Sequence, residues 1–534
     1  MPTHEVTNQA PPRVNLNEFE LNTPLVESVS RLDAGFVLPA LTEVGQLVGT
    51  SEFQADAETA NTNTPVLHSH DRWGNRIDEV EYDESYHRII GSAIFNGAHS
   101  SDWATPKPGA NVARAATFML FAQIEPGHAC PVSMTHAVVP SLLKSDELTR
   151  KWLPKILSTD YDPTFNPAKT SAIFGMGMTE KQGGSDVKSN TTRAVANRDG
   201  SFQITGHKWF CSAPMSDAFL VLAQSKAGLS CFLLPRVLDD GTKNSFEIQR
   251  LKDKAGNRSN ASCEVEFENS SAFLLGDEGR GVATIIEMVA QTRLDCIYGS
   301  AAGMRQSVAE ALWQVRHRAA FGKLLIDQPV MTAVVADLAL ESEAATFAGM
   351  RLARAHDIDA SDQEIAFRRL ATAVTKYWVC KRGPEHSYEA MECLGGNGYI
   401  LDFPTARRFR EQPVMAIWEG SGNVIALDVL RAIEKDPSTV DAFLSEVALA
   451  DGEHAVFDSF LSETKRLLTA GLSVSDARRL TERLALLLEA SLMLRWAPSN
   501  SADAFVRARL GEDRGRLYGV LPAGADLNAI LARH

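Results

Sequence analysis

The chain has 534 residues, of which 53 are basic and 67 acidic, so its formal net charge at neutral pH is −14. Apolar residues make up 44% of the chain and charged residues 22%, a balance that is ordinary for a globular protein and excludes a disordered one. The negative charge opposes DNA and anionic membranes, so any polyanion would have to bind a local basic patch.

Seven cysteines are scattered along the chain without a CxxC pair or the His/Cys spacing of a zinc site. We therefore expect reduced thiols, a cytoplasmic protein and no metal centre. The N-terminal segment MPTHEVTNQAPPRVNLNEF has neither a basic n-region nor an apolar h-region, so we expect no signal peptide. No stretch approaches the ~18 uninterrupted apolar residues of a membrane span, so we expect no membrane association.

The pattern of the sequence predicts four consecutive domains in a mostly α, α+β chain. Residues 1–165 carry helical patterning broken by polar, proline-containing segments. Residues 166–280 hold short Val-, Ile- and Phe-rich runs bounded by turn residues, which predict an antiparallel sheet or barrel. Residues 281–435 return to long helices and predict a four-helix bundle, and residues 436–534 form a further helical extension.

Five polar or glycine-rich segments stand out from their apolar surroundings. Each alone has an ordinary structural explanation, such as a loop between strands, an aromatic in the core or a helix cap. The chain has no G-x-G-x-x-G after a strand, no Walker loop, no G-x-S-x-G elbow and no HExxH. In chain order the segments are GMGMTEKQGGSD (175–186), KWFCS (208–212), RAAFGKLLIDQ (318–328), LGGNGY (394–399) and IWEGSGN (417–423).

Taken together, in this order and at this spacing, the five segments resemble the acyl-CoA dehydrogenase family. MTEKQGGSD corresponds to the family's MTEPGAGSD loop, and RAAFGKLLIDQ to its R-x-x-F-G-x-x-L-x-x-x-Q segment. LGGNGY corresponds to its GGxGY turn, and IWEGSGN to the YEGT loop that carries the catalytic base. The resemblance implies an N-terminal helical domain, a middle β-barrel and a C-terminal four-helix bundle, which agrees with the pattern of the sequence.

Within that family the chain resembles the AidB subfamily over nearly its whole length. The similar segments are TEKQGGSDVKSNTT, GHKWFCS, RLKDKAGNRSNASCEVEF and IWEGSGN, together with the helical extension. Members of the subfamily are flavoproteins of the bacterial adaptive response to DNA alkylation. The resemblance implies a homotetramer with one FAD per subunit, weak acyl-CoA dehydrogenase activity, and DNA binding assigned largely to the extension.

The resemblance also implies which residues hold the flavin. Met178 and Thr179 would border the pyrimidine side of the ring, Phe210 would pack on the ring, and Ser212 would reach its N5 edge. Further implied cofactor contacts in the same segments are Met176, Gly177, Gly184, Ser185, Cys211, Gly395, Gly396, Ile417, Trp418, Gly420, Ser421, Gly422 and Asn423.

The third segment is implied to serve the FAD of a neighbouring subunit. Arg318, Phe321 and Gln328 would reach the pyrophosphate and adenine half of that dinucleotide. A guanidinium suits this role because it forms bidentate, charge-assisted bonds to phosphate.

Glu419 is the implied general base, which would take the α proton of a thioester while a hydride leaves the β carbon. Burial against Trp418 would raise the pKa of Glu419 towards the range useful for that step. Some family members carry the base on a helix just before an arginine, but that position is Thr292 here. Arg293 either faces the active-site cavity, where it would pair with Glu419, or lies on a solvated helix face.

Two departures from the family pattern bear on activity. Lys181-Gln182-Gly183 replaces Pro-Gly-Ala in the flavin loop, and Trp418 replaces the tyrosine of YEGT. A charged lysine and a bulkier tryptophan would narrow the acyl-CoA path. We therefore expect weakened turnover of acyl-CoA with flavin binding intact.

The extension gives mixed evidence for DNA binding. Its residues 437–534 include 11 basic and 13 acidic residues, and its arginines cluster. Because no base-reading motif is present, binding would be directed at phosphate and independent of sequence. The alternative is a solvated, salt-bridged helical face. The candidate DNA contacts are Arg478, Arg479, Arg483, Arg507, Arg509, Arg514 and Arg516.

Three functions thus remain open at the level of sequence. The first is a DNA-associated flavoprotein that protects DNA from alkylation. The second is a true acyl-CoA dehydrogenase of fatty-acid or branched-chain catabolism, which the retained Glu419 favours. The third is a structural FAD-binding tetramer without turnover.

Overall fold

The computed structural model describes residues 3–471, 473–512 and 514–534. Helices dominate the first part of the chain, as expected, and a two-stranded antiparallel hairpin interrupts them. The hairpin was not predicted, because its strands are short and largely polar. The helices are α1 (Thr23–Arg31), α2 (Leu38–Gly49), α3 (Ser51–Thr62), α4 (Glu84–Phe95), α5 (Ser101–Ala104), α6 (Ala110–Ala122), α7 (Ala129–Ala137), α8 (Val139–Leu142) and α9 (Asp146–Ile156), and the hairpin strands are β1 (Val66–His70) and β2 (Arg76–Glu81).

A seven-stranded sheet follows, and it confirms the predicted barrel, although the sheet is mixed and not wholly antiparallel, because Ala218–Ser225 runs parallel to both Phe174–Gly177 and Arg193–Ala196. Its neighbouring strands run in the order β3, β6, β4, β5, β9, β7, while β8 pairs with β9. An additional pairing of β6 with β7 closes the ring around a core of Phe, Ile and Val side chains. The strands are β3 (Phe174–Gly177), β4 (Arg193–Ala196), β5 (Phe202–Ser212), β6 (Ala218–Ser225), β7 (Gly228–Pro235), β8 (Glu247–Leu251) and β9 (Ser262–Leu275).

Long helices then return, as the sequence pattern predicts. The added features are a tiny hairpin after the first long helix and one helix, α14, that begins at a proline in its first turn. The elements are α10 (Gly281–His317), β10 (Ala319–Ala320), β11 (Lys323–Leu324), α11 (Pro329–Ala355), α12 (Asp362–Glu392), α13 (Gly396–Tyr399), α14 (Pro404–Met415) and α15 (Gly422–Lys435).

The extension is helical, as predicted. Its central helix, α18, packs against α11, α12 and α15 and is buried along most of its length. Short 3-10 turns lie at Gly35–Val37, Val187–Ser189, Leu325–Asp327, Ala448–Ala450 and Val474–Asp476. The helices of the extension are α16 (Ser438–Val447), α17 (Ala455–Thr469), α18 (Ala477–Trp496), α19 (Ser499–Leu510) and α20 (Leu527–Leu531).

The chain divides into two compact units. The bundle unit comprises Met1–Gln54, Lys107–Ile124 and Cys296–His534, and the barrel unit comprises Ala55–Pro106 and Glu125–Asp295. The extension thus belongs to the same unit as most of the bundle. Among the described residues, no helix combines the length and the apolar character needed to cross a bilayer, and no three His, Cys, Asp or Glu side chains group as metal ligands.

Buried charges attach the extension to the bundle. Arg509 of α19 donates to Asp337 Oδ1 at 2.5 Å and to Glu341 Oε2 at 2.8 Å, and Arg382 donates to Glu341 Oε1 at 2.8 Å. Burial alone would raise the pKa of Glu341, but the two guanidinium groups outweigh it and bring that pKa to about 2.

A second buried carboxyl group lies beside this cluster. Glu489 of α18 accepts a hydrogen bond from Trp378 Nε1 at 2.9 Å. Burial, together with the neighbouring charge of Glu341, raises the pKa of Glu489 well above its usual range. The packing of the extension therefore encloses two carboxyl groups inside the bundle unit, Glu341 with a lowered pKa and Glu489 with a raised pKa.

We expect Arg509→Met to destabilise the protein by about 3–5 kcal/mol, because Asp337 and Glu341 would lose a partner in a buried site. Arg507→Met is the matched control, since Arg507 pairs with Asp503 at the surface at 3.4 Å and such pairs contribute about 1 kcal/mol or less. Urea unfolding followed by circular dichroism measures both effects. Equal losses in the two variants would show that the buried cluster does not hold the extension.

Candidate functional site

A buried ion pair connects the first two sequence motifs. Lys208 Nζ lies 2.9 Å from Glu180 Oε1 and donates to the carbonyl of Leu222 at 2.7 Å, and both charged side chains are fully buried. The backbone N–H groups of Thr191 and Thr192 also donate to the Glu180 carboxylate. This arrangement anchors the flavin loop, residues 178–186, to strand β5.

The charge on Glu180 is stabilised despite its burial. Burial alone would raise the pKa of Glu180, but the Lys208 ammonium and the hydrogen bonds from Thr191 and Thr192 bring it to about 2. Backbone hydrogen bonds continue the attachment, because Trp209 N–H donates to the carbonyl of Thr179 at 2.8 Å. The ion pair was not predicted from the sequence, because a lysine within a strand is usually solvated.

Strand β5 presents alternate side chains to opposite faces of the barrel wall. Phe210 is 50% exposed, which leaves an aromatic face open to a ligand. Ser212 is partly buried and its hydroxyl lies 3.0 Å from that of Ser262. Cys211 points the other way into the barrel core and is fully buried. Because of the period of two in the strand, the Cys211 side chain lies on the core face, so the predicted cofactor contact of Cys211 would be made by its backbone and stays a prediction.

The glycine-rich loop keeps hydroxyl groups accessible. A Cβ at Gly184 would lie 2.4 Å from Thr179 Oγ1. Any larger residue at position 184 would therefore clash with the Thr179 hydroxyl. Thr179 is partly buried and Ser185 is exposed. On the preceding strand, Met176 is partly buried and Gly177 lies against the aliphatic stem of Lys208. Met178 is also partly buried, and its carbonyl accepts a hydrogen bond from Asn190.

The third motif forms a small hairpin with an exposed tip. Arg318 donates to the carbonyl of Asn8 at 3.0 Å, and Gln328 donates to that of Ala320 at 2.9 Å. At the tip Phe321 has a φ of 52° and is 98% exposed. An aromatic side chain that is almost fully exposed can contact another molecule. The predicted contact with a neighbouring subunit requires this exposure.

In the fourth motif, LGGNGY, the backbone of the glycine pair has no neighbouring atoms of the chain packed against it. Gly395 has a φ of 62°, and a Cβ on either Gly395 or Gly396 would meet no atom within 4 Å. Crowding by neighbouring atoms of the chain therefore does not explain why both positions are glycine. Open backbone beside a glycine pair is what the close approach of a dinucleotide would need.

The glutamate loop, residues 417–423, is held by a buried lysine that sequence reasoning missed. Lys376 Nζ donates to the carbonyl of Trp418 at 3.0 Å and to that of Gly420 at 2.7 Å. These two bonds bracket Glu419, which is partly buried and has a φ of 58°. The left-handed conformation is unusual for a glutamate, so the lysine stabilises a backbone that the sequence alone would not adopt.

Trp418 brings an unpaired donor to the same loop. Its ring packs against Cys296, Cys380 and Met415, and its buried Nε1 has no hydrogen-bond acceptor among the described residues. Ile417, Ser421 and Asn423 are exposed, while Gly420 and Gly422 are partly buried.

The structure also shows the surroundings of the two α10 residues at the position where some family members carry the base. Thr292 is buried and its hydroxyl bonds to the carbonyls of Met288 and Val289 in its own helix. Arg293 is partly buried. The pairing of Arg293 with Glu419 stays a prediction.

The candidate DNA-binding arginines fall into two groups. Arg483 pairs with Glu463 at 3.1 Å, and Arg507 and Arg509 also form the ion pairs described above. Arg509 is enclosed in the bundle unit and is therefore unsuited to phosphate contact, which corrects its place among the candidates. The exposed members, which form no ion pair within the described residues, are Arg478, Arg479, Arg514 and Arg516.

Within each unit, taken by itself, the motif residues have the chemistry that a flavin dinucleotide needs. The orphaned indole N–H of Trp418 needs an acceptor, and the open backbone at Gly395 and Gly396 leaves room for a ligand. Phe210 offers an aromatic face, and Thr179 and Ser185 offer hydroxyl donors.

Comparison with known proteins decides the family. Residues 8–163 match the N-terminal domain of the adaptive response protein AidB. Residues 175–270 match the middle domain and residues 279–434 the C-terminal domain of acyl-CoA dehydrogenases. The chain is 43% identical to AidB of Escherichia coli (strain K12) over 95% of this chain and 94% of that protein. The chain belongs to the acyl-CoA dehydrogenase family. Within it, the AidB-type N-terminal domain and this relative assign the chain to the AidB group.

Solved structures share the fold of this chain. Caenorhabditis elegans ACDH-11 in complex with C11-CoA has a TM-score of 0.87 at 24% identity, covering 99% of this chain and 97% of that one. The apo form of Bd2924 has a TM-score of 0.82 at 28% identity, covering 92% and 99%. The acyl-CoA dehydrogenase fold predicted from the motifs is thereby confirmed, and membership makes the chain an FAD-dependent oxidoreductase with FAD as its cofactor.

We expect Lys208→Met to destabilise the protein by about 3–5 kcal/mol, because it leaves the Glu180 carboxylate buried without its partner. The double variant Lys208→Met/Glu180→Gln removes both charges and should recover most of that loss. Urea unfolding of the two single variants and the double variant measures the coupling. Additive losses would contradict the proposed anchor.

The same pair predicts a pH dependence in the acid range. The pKa of Glu180 is lowered to about 2 in the folded protein, so its stabilising contribution is complete above its ordinary pKa of about 4.5 and is lost as pH falls towards 2. Between pH 5 and 3 the wild type should therefore lose more stability than Glu180→Gln. Urea unfolding at a series of pH values measures the difference, and parallel stability curves for the two proteins would contradict it.

Proposed function

We propose that this protein is an AidB-type flavoprotein that binds double-stranded DNA without sequence preference, protects it from alkylation and retains weak acyl-CoA dehydrogenase activity. The single observation that supports it most is the 43% identity to AidB over 95% of the chain, which includes the extension. We further propose a cytoplasmic homotetramer, which the exposed Phe321 supports because such a tip calls for a second subunit.

Glu419 is the general base in this proposal. When bound, FAD supplies the acceptor for the hydride that leaves the β carbon of a thioester. Glu419 takes the proton from the α carbon, and its carboxylate is placed by the two bonds from Lys376 to the flanking carbonyls. Trp418 packs against the bundle core next to this residue.

The proposed substrate class is a long or medium acyl-CoA thioester. The solved relative from Caenorhabditis elegans is described in complex with C11-CoA, and its fold matches this chain nearly end to end. Trp418, in place of the family tyrosine, and Lys181, exposed in the flavin loop, would slow the entry of such a substrate. We therefore propose turnover well below that of a catabolic dehydrogenase.

The proposed DNA contact is a basic patch on the extension. Arg479 and Arg514 act electrostatically on Arg483, which indicates that the three side chains are neighbours. Arg516 is also exposed. Because the whole chain carries a charge of −14, a polyanion would have to be held by this local concentration of charge, added over the subunits of the tetramer.

A second function, a true acyl-CoA dehydrogenase of fatty-acid or branched-chain catabolism, is favoured by the retention of Glu419. Reduction of electron-transfer flavoprotein by a panel of acyl-CoA thioesters separates the two functions. Turnover of about 1–10³ per second, the ordinary range of enzymes, would favour the catabolic enzyme.

We expect the purified protein to carry FAD, and Glu419→Gln to lower any acyl-CoA dehydrogenase activity at least ~10²-fold without releasing the flavin. The amide keeps the shape of the side chain but cannot accept the α proton. The flavin absorbance spectrum and dye-linked reduction by acyl-CoA measure the two properties. Activity within threefold of the wild type would place the base elsewhere, and colourless protein that takes up no added FAD would contradict the proposed function.

We expect the triple change of Arg479, Arg514 and Arg516 to Ala to weaken DNA binding and to flatten its dependence on salt. For every phosphate that the variant no longer neutralises, the slope of log K against log salt should become shallower by about 0.9. Gel-shift titrations of a double-stranded oligonucleotide at several salt concentrations measure this slope.

The matched control changes three exposed arginines of the barrel unit, Arg193, Arg198 and Arg280, to Ala. It removes the same charge from a different surface and should leave the slope unchanged. Full DNA affinity in the extension variant would exclude this patch, and a wild type that binds no DNA at low salt would favour the catabolic enzyme.

A further inference from the structure

A group of cations without carboxylate partners lies beside the glutamate loop. Lys376 and Lys381 come from α12, and Arg478 comes from the first turn of α18 in the extension. None of the three forms an ion pair with an acidic residue within the described part of the chain. Such a cluster stands out in this unit, because other arginines of the unit, such as Arg509, form buried ion pairs with acidic residues.

Two of these cations lie close to the ring of Tyr377. Arg478 Nε donates to Tyr377 Oη at 3.0 Å, and its guanidinium carbon lies 5.9 Å from the ring centroid. Lys381 Nζ lies 5.6 Å from the same centroid. The ring thereby fixes both charges in one neighbourhood, although like charges repel.

Lys381 also lies directly against the glutamate loop. A Cβ at Gly422 would be 2.4 Å from Lys381 Cε and 2.9 Å from its Nζ, so the glycine makes room for this ammonium group. Burial, together with the charges of Arg478 and Lys376, lowers the pKa of Lys381. An anion placed here would relieve that repulsion.

The neighbouring residues indicate which anion. Ser421 and Asn423, on either side of Gly422, are exposed and are the loop residues that family resemblance assigns to FAD. The Ser421 side chain makes no capping bond to the first turn of α15, so the backbone N–H groups of that turn add to the positive potential. Two cations close to one tyrosine ring, beside loop residues that the resemblance assigns to FAD, suit the two phosphates of a dinucleotide.

We propose that Lys381 and Arg478 bind the diphosphate of FAD, so that the extension contributes a side chain to the cofactor site. This inference rests on the FAD binding of the proposed function. It assigns Arg478 to the cofactor, apart from the exposed Arg479, Arg514 and Arg516 of the proposed DNA patch. It also gives the attachment of the extension to the bundle a role in retaining the flavin.

The test measures FAD release from the holoprotein. Wild type, Lys381→Met, Arg478→Met and the double variant are diluted in steps, and the recovery of free flavin fluorescence gives the dissociation constant. We expect about a tenfold weaker constant for each single variant and a larger loss for the double, because each removes one charge-assisted contact. Lys381→Arg keeps the charge and should stay within threefold of the wild type.

Arg479→Met is the matched control, since Arg479 is the next residue on the same helix turn and is exposed. It should leave FAD affinity within twofold of the wild type. Thermal melting of each variant confirms that the chain is folded. An FAD dissociation constant within threefold of the wild type in the double variant would overturn the inference.

Two further outcomes separate this inference from neighbouring ones. If the double variant keeps its FAD but loses affinity for CoA, the cations serve the substrate and the inference is overturned. If the wild type itself holds no FAD, the proposed function fails and this inference fails with it. If the wild type holds FAD and the variants bind FAD as tightly as the wild type does, this inference alone is overturned.

Discussion

The conformation of the candidate flavin loop depends on one buried ion pair. A loop rich in glycine loses more conformational entropy on folding than any other kind of segment, so it needs strong attachment at its ends. The bond between Lys208 and Glu180 supplies that attachment at the start of the loop. Because a buried charge deprived of its partner is costly, the loop cannot leave strand β5 without exposing both charges. Two short motifs that are separated in the sequence therefore act as one rigid set of donors.

A second buried lysine repeats this principle with a different acceptor. Lys376 bonds to two backbone carbonyls, not to a carboxylate, and so fixes the peptide groups on either side of Glu419. The lysine thus holds the loop through its backbone, and the proposed role of Glu419 in proton transfer concerns the side chain between these two peptide groups. Holding a reactive side chain through its neighbouring peptide groups also stabilises a φ of 58° that a glutamate would otherwise avoid.

The sequence predicted the fold class, the barrel and the five motifs because each has a local signature: a hydrophobic period, a run of turn residues or a spacing of glycines. It could not predict the partners of Lys208 and Lys376, since their acceptors are distant in sequence and a lysine is usually exposed. It did not predict that the Cys211 side chain lies in the barrel core, because a motif does not state which face of a strand a residue occupies. It ranked Arg509 with surface arginines because burial depends on tertiary packing.

The charge of the extension illustrates the same limit and bears on its function. Over residues 437–534, a count of 11 basic and 13 acidic residues describes a slightly acidic segment. Yet Arg509 and Arg533 are paired with acids that mostly lie outside the extension, such as Asp337, Glu341 and Glu343. The net count therefore does not describe the surface, where Arg479 and Arg514 lie close to Arg483. Since exposed charges interact over a screening length of about 10 Å, a phosphate group responds to that local arrangement more than to the total charge. An acidic protein of this kind can hold a polyanion only where its basic side chains are concentrated on one surface and its acids lie elsewhere.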